Sequence, residues 1–114
     1  MSSAISSVLE SLDAGAQAER EVLKQAVKDC LAALVDAAPG HSVEIRIPPF
    51  AAVQAIPGAR HRRGTPPAVV ETDAITWLLL CVGRLTWEQA CREGKVHASG
   101  ERSDLAPWLP LALK

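Results

Sequence analysis

Val43-Glu44-Ile45-Arg46-Ile47 alternates apolar and charged side chains at every step. In a strand, successive side chains point to opposite faces, so this pentapeptide reads as a strand with one dry face and one wet one. Pro48 and Pro49 follow at once. They remove two backbone donors, so the strand ends there or runs along a sheet edge. Just upstream the period is different. Leu23, Val27, Cys30 and Leu34 recur at helical spacing, and Val22, Leu31 and Val35 widen the stripe. Glu19, Arg20, Glu21, Lys24, Lys28 and Asp29 form the wet side, and Pro39-Gly40 ends the helix. The stripe is too wide and too short for a coiled coil, so it packs on a sheet or a partner helix.

The remaining chain alternates short elements with clear punctuation. Residues 1–18, rich in Ser and Ala, read as a flexible or helical leader to a single domain over 19–114. Phe50–Ile56 reads as a second strand and Pro57-Gly58 as a turn. Ala59–Pro67 is a polar loop broken by Gly64, Pro66 and Pro67, and Ala68–Thr72 is a third strand. Asp73 can cap a helix running through Val82, and Gly83 can end it in the left-handed conformation. Thr86 with Gln89 forms a capping box for the next helix, where Leu85 can staple to Ala90. Gly94 stops that helix, and Val96–Ser99 is a fourth strand turned by Gly100. Ser103 or Asp104 can cap a short last helix that Pro107 tolerates and Pro110 limits. Grouped strands followed by helices predict an α+β domain, with helices on one face of the sheet.

Composition excludes several functions. Lys and Arg number 12 against 13 Asp and Glu, so the chain lacks the basic excess of a protein held to nucleic acid through phosphates. Leu85–Ala90 resembles the first helix of a helix-turn-helix, but Lys95–Gly100 reads as a strand where the recognition helix would stand. The longest apolar run, Trp77–Val82, is six residues, whereas a membrane span needs about 20. The N-terminus has no signal-peptide pattern. Three cysteines, Cys30, Cys81 and Cys91, without a CxxC, suit a reducing cytoplasm. His41, His61 and His97 have no metal-ligand spacing, and no nucleophile motif stands out, so neither a metal nor another cofactor is expected. Glu71 and Asp73 could divide acid and base roles, though a cap and a solvated side chain account for them equally. Arg60, His61, Arg62 and Arg63 form the only basic cluster. Arg62 and Arg63 are the candidates for holding an anionic headgroup. The plainer alternative pairs this cluster with Glu71 and Asp73.

Trp77, Trp87 and Trp108 are three of only four aromatic residues. Each can bury about 150–250 Å² and so contribute roughly 4–6 kcal/mol of gross transfer energy. Trp108 sits among Leu105, Leu109, Leu111 and Leu113 on a segment that cannot hold itself together. It must cover an apolar surface on its own domain or on a partner.

Asp73–Ala90, then Gly94-Lys95-Val96-His97-Ala98-Ser99-Gly100, then Leu105–Leu111, resembles the C-terminal half of the sterol carrier protein fold. There a helix ends in a Gly-[Arg/Lys]-Leu turn, a second helix leads to Gly-Lys-[Leu/Val], and a strand ending in Gly precedes a closing helix. Val43–Gln54 and His61–Asp73 look more specifically like the short actinobacterial orthologues of that family. The resemblance covers about residues 20–113. It implies a curved, mixed or antiparallel sheet of about 4–5 strands and a non-enzymatic domain that accepts fatty acyl or sterol-like lipid in an apolar pocket between sheet and helices. Phe50, Val53 and Ile56 would line the sheet side of such a pocket. Trp77, Leu80 and Cys81 would form the helix wall, and Leu105, Trp108 and Leu109 the lid. In the alternative reading the same residues pack on one another, and the chain is an interaction module that dimerises or docks on an enzyme.

Overall fold

The computed structural model describes residues 1–58, 68–100 and 103–113. The described part holds four helices, α1 (Ser3–Asp13), α2 (Arg20–Ala37), α3 (Ala74–Val82) and α4 (Trp87–Arg92), and four strands, β1 (Val43–Ile47), β2 (Ala51–Ala55), β3 (Ala68–Thr72) and β4 (Val96–Ser99). The strand order is β2-β1-β3-β4. β1 and β2 are an antiparallel hairpin, β1 and β3 are parallel, and β3 and β4 are antiparallel. The expected α+β class therefore holds, with a mixed, open sheet of four strands.

Register sorts the side chains. Ile45 lies opposite Val53 and beside Val70, and Thr72 lies opposite Val96. Val43, Ile45, Ile47, Ala68, Val70 and Val96 are buried beneath the helices. Glu44, Arg46, Ala52, Gln54, Glu71 and His97 fall on the opposite face by alternation. Arg46 forks onto Glu44 there through Nε and Nη2 at 3.0 and 3.3 Å. That bond holds the Glu44 carboxyl below the usual carboxylate range. The two edge strands are short: β2 lies between Pro49 and Pro57, and β4 has four residues.

α3 begins and ends at the caps the sequence places, and α4 begins at its cap. The Asp73 carboxylate accepts the Thr76 N–H at 2.7 Å, and Gly83 closes α3 at φ +85°. Thr86 accepts the Gln89 N–H at 3.1 Å. α3 is buried nearly all round, as its run of apolar residues requires. α2 buries Ala26, Val27, Cys30, Leu31 and Leu34, so the core stripe sits one turn further along than Leu23, which is only half-buried. α1 packs Ile5, Val8 and Leu9 into the same core.

Two departures from sequence expectation have clear causes. Only one 3₁₀ turn, Ala106–Trp108, forms in the tail. Pro107 and Pro110 remove donors a longer helix needs, and Leu109 leaves the turn in extended conformation. Asp104 accepts the Ala106 N–H at 2.9 Å and starts the turn. The second departure concerns the tryptophans. Trp77 is 0% exposed, but Trp87 and Trp108 are half-buried.

Candidate functional site

The α3–α4 corner and the tail build one apolar groove. Gly83 reverses the chain, so Arg84 N–H and Leu85 N–H both reach back to the Leu79 carbonyl, at 2.9 and 3.2 Å. Leu85 is thereby turned inward and buried, and Trp87 is set at the start of α4. The tail then returns across this corner. Leu111 N–H donates to the Cys81 carbonyl at 2.9 Å, freed by the end of the helix. Pro110 lies on Gly83 so closely that a Cβ there would sit 3.3 Å from the proline Cβ.

Between these elements lies a groove of about 310 Å³ lined by Leu80, Leu85, Trp87, Leu109 and Pro110, with Thr86 and Glu88 at its rim. The volume falls at the lower end for small-molecule sites. Glu88 is the only ionisable liner among the described residues. Arg84, next to this corner in sequence, is engaged elsewhere. Its guanidinium holds the Asp13 carboxylate of α1 at 2.7 and 3.3 Å, and that bond lowers the Asp13 pKa.

The residues expected to line one pocket are distributed over four places. Leu80 and Leu109 line the groove. Trp77, Cys81 and Leu105 are each 0% exposed in the core, and Ile56 is buried at the end of β2. Trp108 is half-buried on the tail turn. Phe50 and Val53 are half-buried at the β2 margin, where the Arg20 guanidinium lies 5.0 Å from the Phe50 ring centroid. Arg62 and Arg63 lie outside the described residues. Trp87, Leu85 and Pro110 line the groove without having been expected from sequence. Their signal was the Gly83 turn itself, since a left-handed helix end leaves a bare carbonyl edge for another segment to cover.

One polar atom in the core is unmatched. The Trp77 Nε1–H is fully buried and makes no hydrogen bond among the described residues, although a buried indole usually finds a partner. Its neighbour one turn on, Cys81, packs against Cys30, and burial first and that thiol second push the Cys81 pKa up. No group of three or more His, Cys, Asp or Glu suited to a metal occurs among the described residues.

The thiols give a direct check on this burial. All three are free, with Cys30 and Cys81 buried and Cys91 exposed. An aromatic disulfide reagent should titrate one thiol in the folded protein and three in guanidinium. Partial burial, and then the Asp104 charge, raise the Cys91 pKa. Less thiolate is present at neutral pH, so Cys91 should react more slowly than free cysteine and speed up as pH rises. Asp104→Asn should shift that rise to lower pH. Rapid reaction of a second thiol would contradict the packed α2–α3 interface.

No helix among the described residues is long and apolar enough to cross a membrane. A family model described as a bacterial SCP ortholog, the sterol carrier protein type, matches residues 19–111. A comparison with curated proteins finds no match to the chain.

Proposed function

The chain belongs to the bacterial sterol carrier protein ortholog family, and from that premise we propose that it binds, without transforming, an apolar small molecule in the groove beneath its tail. The observation that carries this reading is the groove itself, about 310 Å³ of mostly aliphatic and aromatic wall between α3, α4 and Leu109-Pro110. Binding there would remove the half-buried Trp87 and Leu109 from water at about 25 cal/mol per Å². A single acidic side chain among the described liners, beside a Thr86 hydroxyl already committed to capping α4, supports binding over catalysis. The three free thiols suit a reducing compartment such as the cytoplasm.

A packed core favours one competing reading. Trp77, Leu78 and Cys81 are 0% exposed, so the space between sheet and helices is filled, as in a module that only docks on another protein. A two-fold interface above about 1,000 Å² would support that reading.

Native mass spectrometry of protein purified without detergent separates the two. The expected result is an adduct of lipid-like mass that is lost on harsher activation. It should be much reduced in Leu109→Asp, which puts a charge on the groove wall at a half-exposed position. A charge stranded against apolar groups weakens binding at least tenfold, about 1.4 kcal/mol. A clean mass for the native chain, together with no change in Trp87 fluorescence on adding 2-undecanone, would overturn the binding reading.

A further inference from the structure

We propose that the Trp77 Nε1–H is the hydrogen-bond donor for a neutral oxygen atom of the ligand, reached from the groove when Leu109-Pro110 lifts. This rests on the groove-binding reading and adds the ligand's chemical class: a predominantly apolar ketone, ester or ether rather than a free fatty acid.

Three observations lead there. First, Trp77 carries a buried, unsatisfied donor in a helix whose other side chains are almost all apolar. A donor left unpaired in a core costs about as much as the hydrogen bond it fails to make. A ligand acceptor would recover that loss on binding. Second, Trp77 and Leu80 stand three residues apart, on one face of α3, and Leu80 is a wall of the groove. The next position, Cys81, supplies the carbonyl to which the tail is tied through Leu111. The tail that roofs the groove is therefore fastened to α3 one turn beyond Trp77. It stays in place through that bond, the packing of Pro110 on Gly83 and the burial of Leu105. Third, the rim speaks against an anion. Among the described residues Glu88 is the one ionisable liner, and it is acidic. Arg84 is occupied by Asp13. A carboxylate headgroup would meet repulsion at the mouth and an uncompensated desolvation cost inside. A carbonyl or ether oxygen meets neither obstacle and accepts from an indole N–H.

The test uses the full chain labelled with ¹⁵N at the indole positions. Its three indole resonances are assigned with Trp87→Phe and Trp108→Phe. On titration with 2-undecanone the Trp77 Nε1–H resonance should move downfield, together with the groove resonance of Trp87. Undecane, which has no acceptor, should move Trp87 alone. Replacing Trp77 by β-(3-benzothienyl)alanine exchanges the N–H for sulfur in nearly the same shape. This substitution should weaken 2-undecanone binding about tenfold, the size of one buried hydrogen bond, and leave undecane binding unchanged. If Trp87 responds to both probes while Trp77 does not, the proposal falls and groove binding stands. An isostere that weakens both probes equally would also overturn the proposal, because Trp77 would then contribute shape alone. If neither resonance moves with either probe, the groove reading falls and takes the proposal with it.

Discussion

Gly40→Ala should be the most damaging methyl addition at any of Gly15, Gly40, Gly83, Gly94 and Gly100, costing about 4 kcal/mol or more, a loss few substitutions reach. Gly40 follows α2 and passes directly over the end of β2. A Cβ placed on it overlaps the Ile56 carbonyl oxygen and sits 2.5 Å from the Ile56 carbonyl carbon and 2.7 Å from the Pro57 nitrogen. All three are backbone atoms, so no side chain can swing away. The backbone there is also clamped. Ile56 N–H donates to the Ala38 carbonyl at 2.7 Å, and the Ser42 hydroxyl and N–H both donate to the Ile56 carbonyl, at 2.6 and 3.2 Å. Ile56 itself holds φ +74°, unusual for a β-branched residue. Gly94→Ala is the control. Gly94 has φ +71°, but an added methyl would meet nothing within 4 Å, so this variant should lose only about 1–2 kcal/mol to backbone strain. Urea denaturation of both variants checks the pair. Equal losses would mean that the close passage of Gly40 over Ile56 is not present in solution.

Leu105→Ala should come next, at about 2–5 kcal/mol, the range for emptying a filled aliphatic site. Leu105 is 0% exposed, while its tail neighbours Trp108 and Leu109 are half-buried. The tail thus has its deepest anchor at Leu105, a second buried leucine at Leu111 and a shallow cover between them. Leu109→Ala should cost much less, because it removes groove wall rather than core. Hydrogen exchange at the Leu111 amide, bonded to the Cys81 carbonyl, adds a local reading. If the tail opens by itself, Leu105→Ala speeds exchange there more than in α2. A loss below about 1 kcal/mol for Leu105→Ala, outside the range for a filled core site, would mean that the tail is not part of the core.

Much of this architecture is legible in the residues because local signals agree with one another. Asp73 and Gly83 bracket α3, Thr86 opens α4, and the alternation of Val43–Ile47 survives intact in β1. Other features depend on distant partners and leave no local mark. Nothing in Ala68–Thr72 says that it runs parallel to β1. Ile5, Val8, Leu9 and Leu12 do repeat at helical spacing, but the serines between them give that stripe the look of a loose leader. In the tail, leucine content suggests a helix, whereas the missing donors of Pro107 and Pro110 decide the outcome. The candidate site is legible only in fragments. Leu80 and Leu109 stand out as apolar positions, yet the groove is created by Pro110 crossing Gly83, a contact between residues far apart in the chain. Cys81, Trp77 and Leu105 are equally apolar, and the fold uses them as core.

An open sheet exposes unpaired backbone groups at both margins, and such margins can recruit strands from other chains. Here neither margin offers a long template. β4 contributes four residues before Gly100 turns the chain away. β2 is entered through Pro48-Pro49 and left through Pro57, and the first amide beyond it, that of Ile56, is already bonded to Ala38. A ladder started at β2 would gain few hydrogen bonds before meeting a proline with nothing to donate, and one started at β4 would run out after four residues. Crowded solutions of the folded chain should therefore stay clear of fibrillar growth, a colloidal property that follows from how short its two edge strands are and where the prolines beside β2 fall.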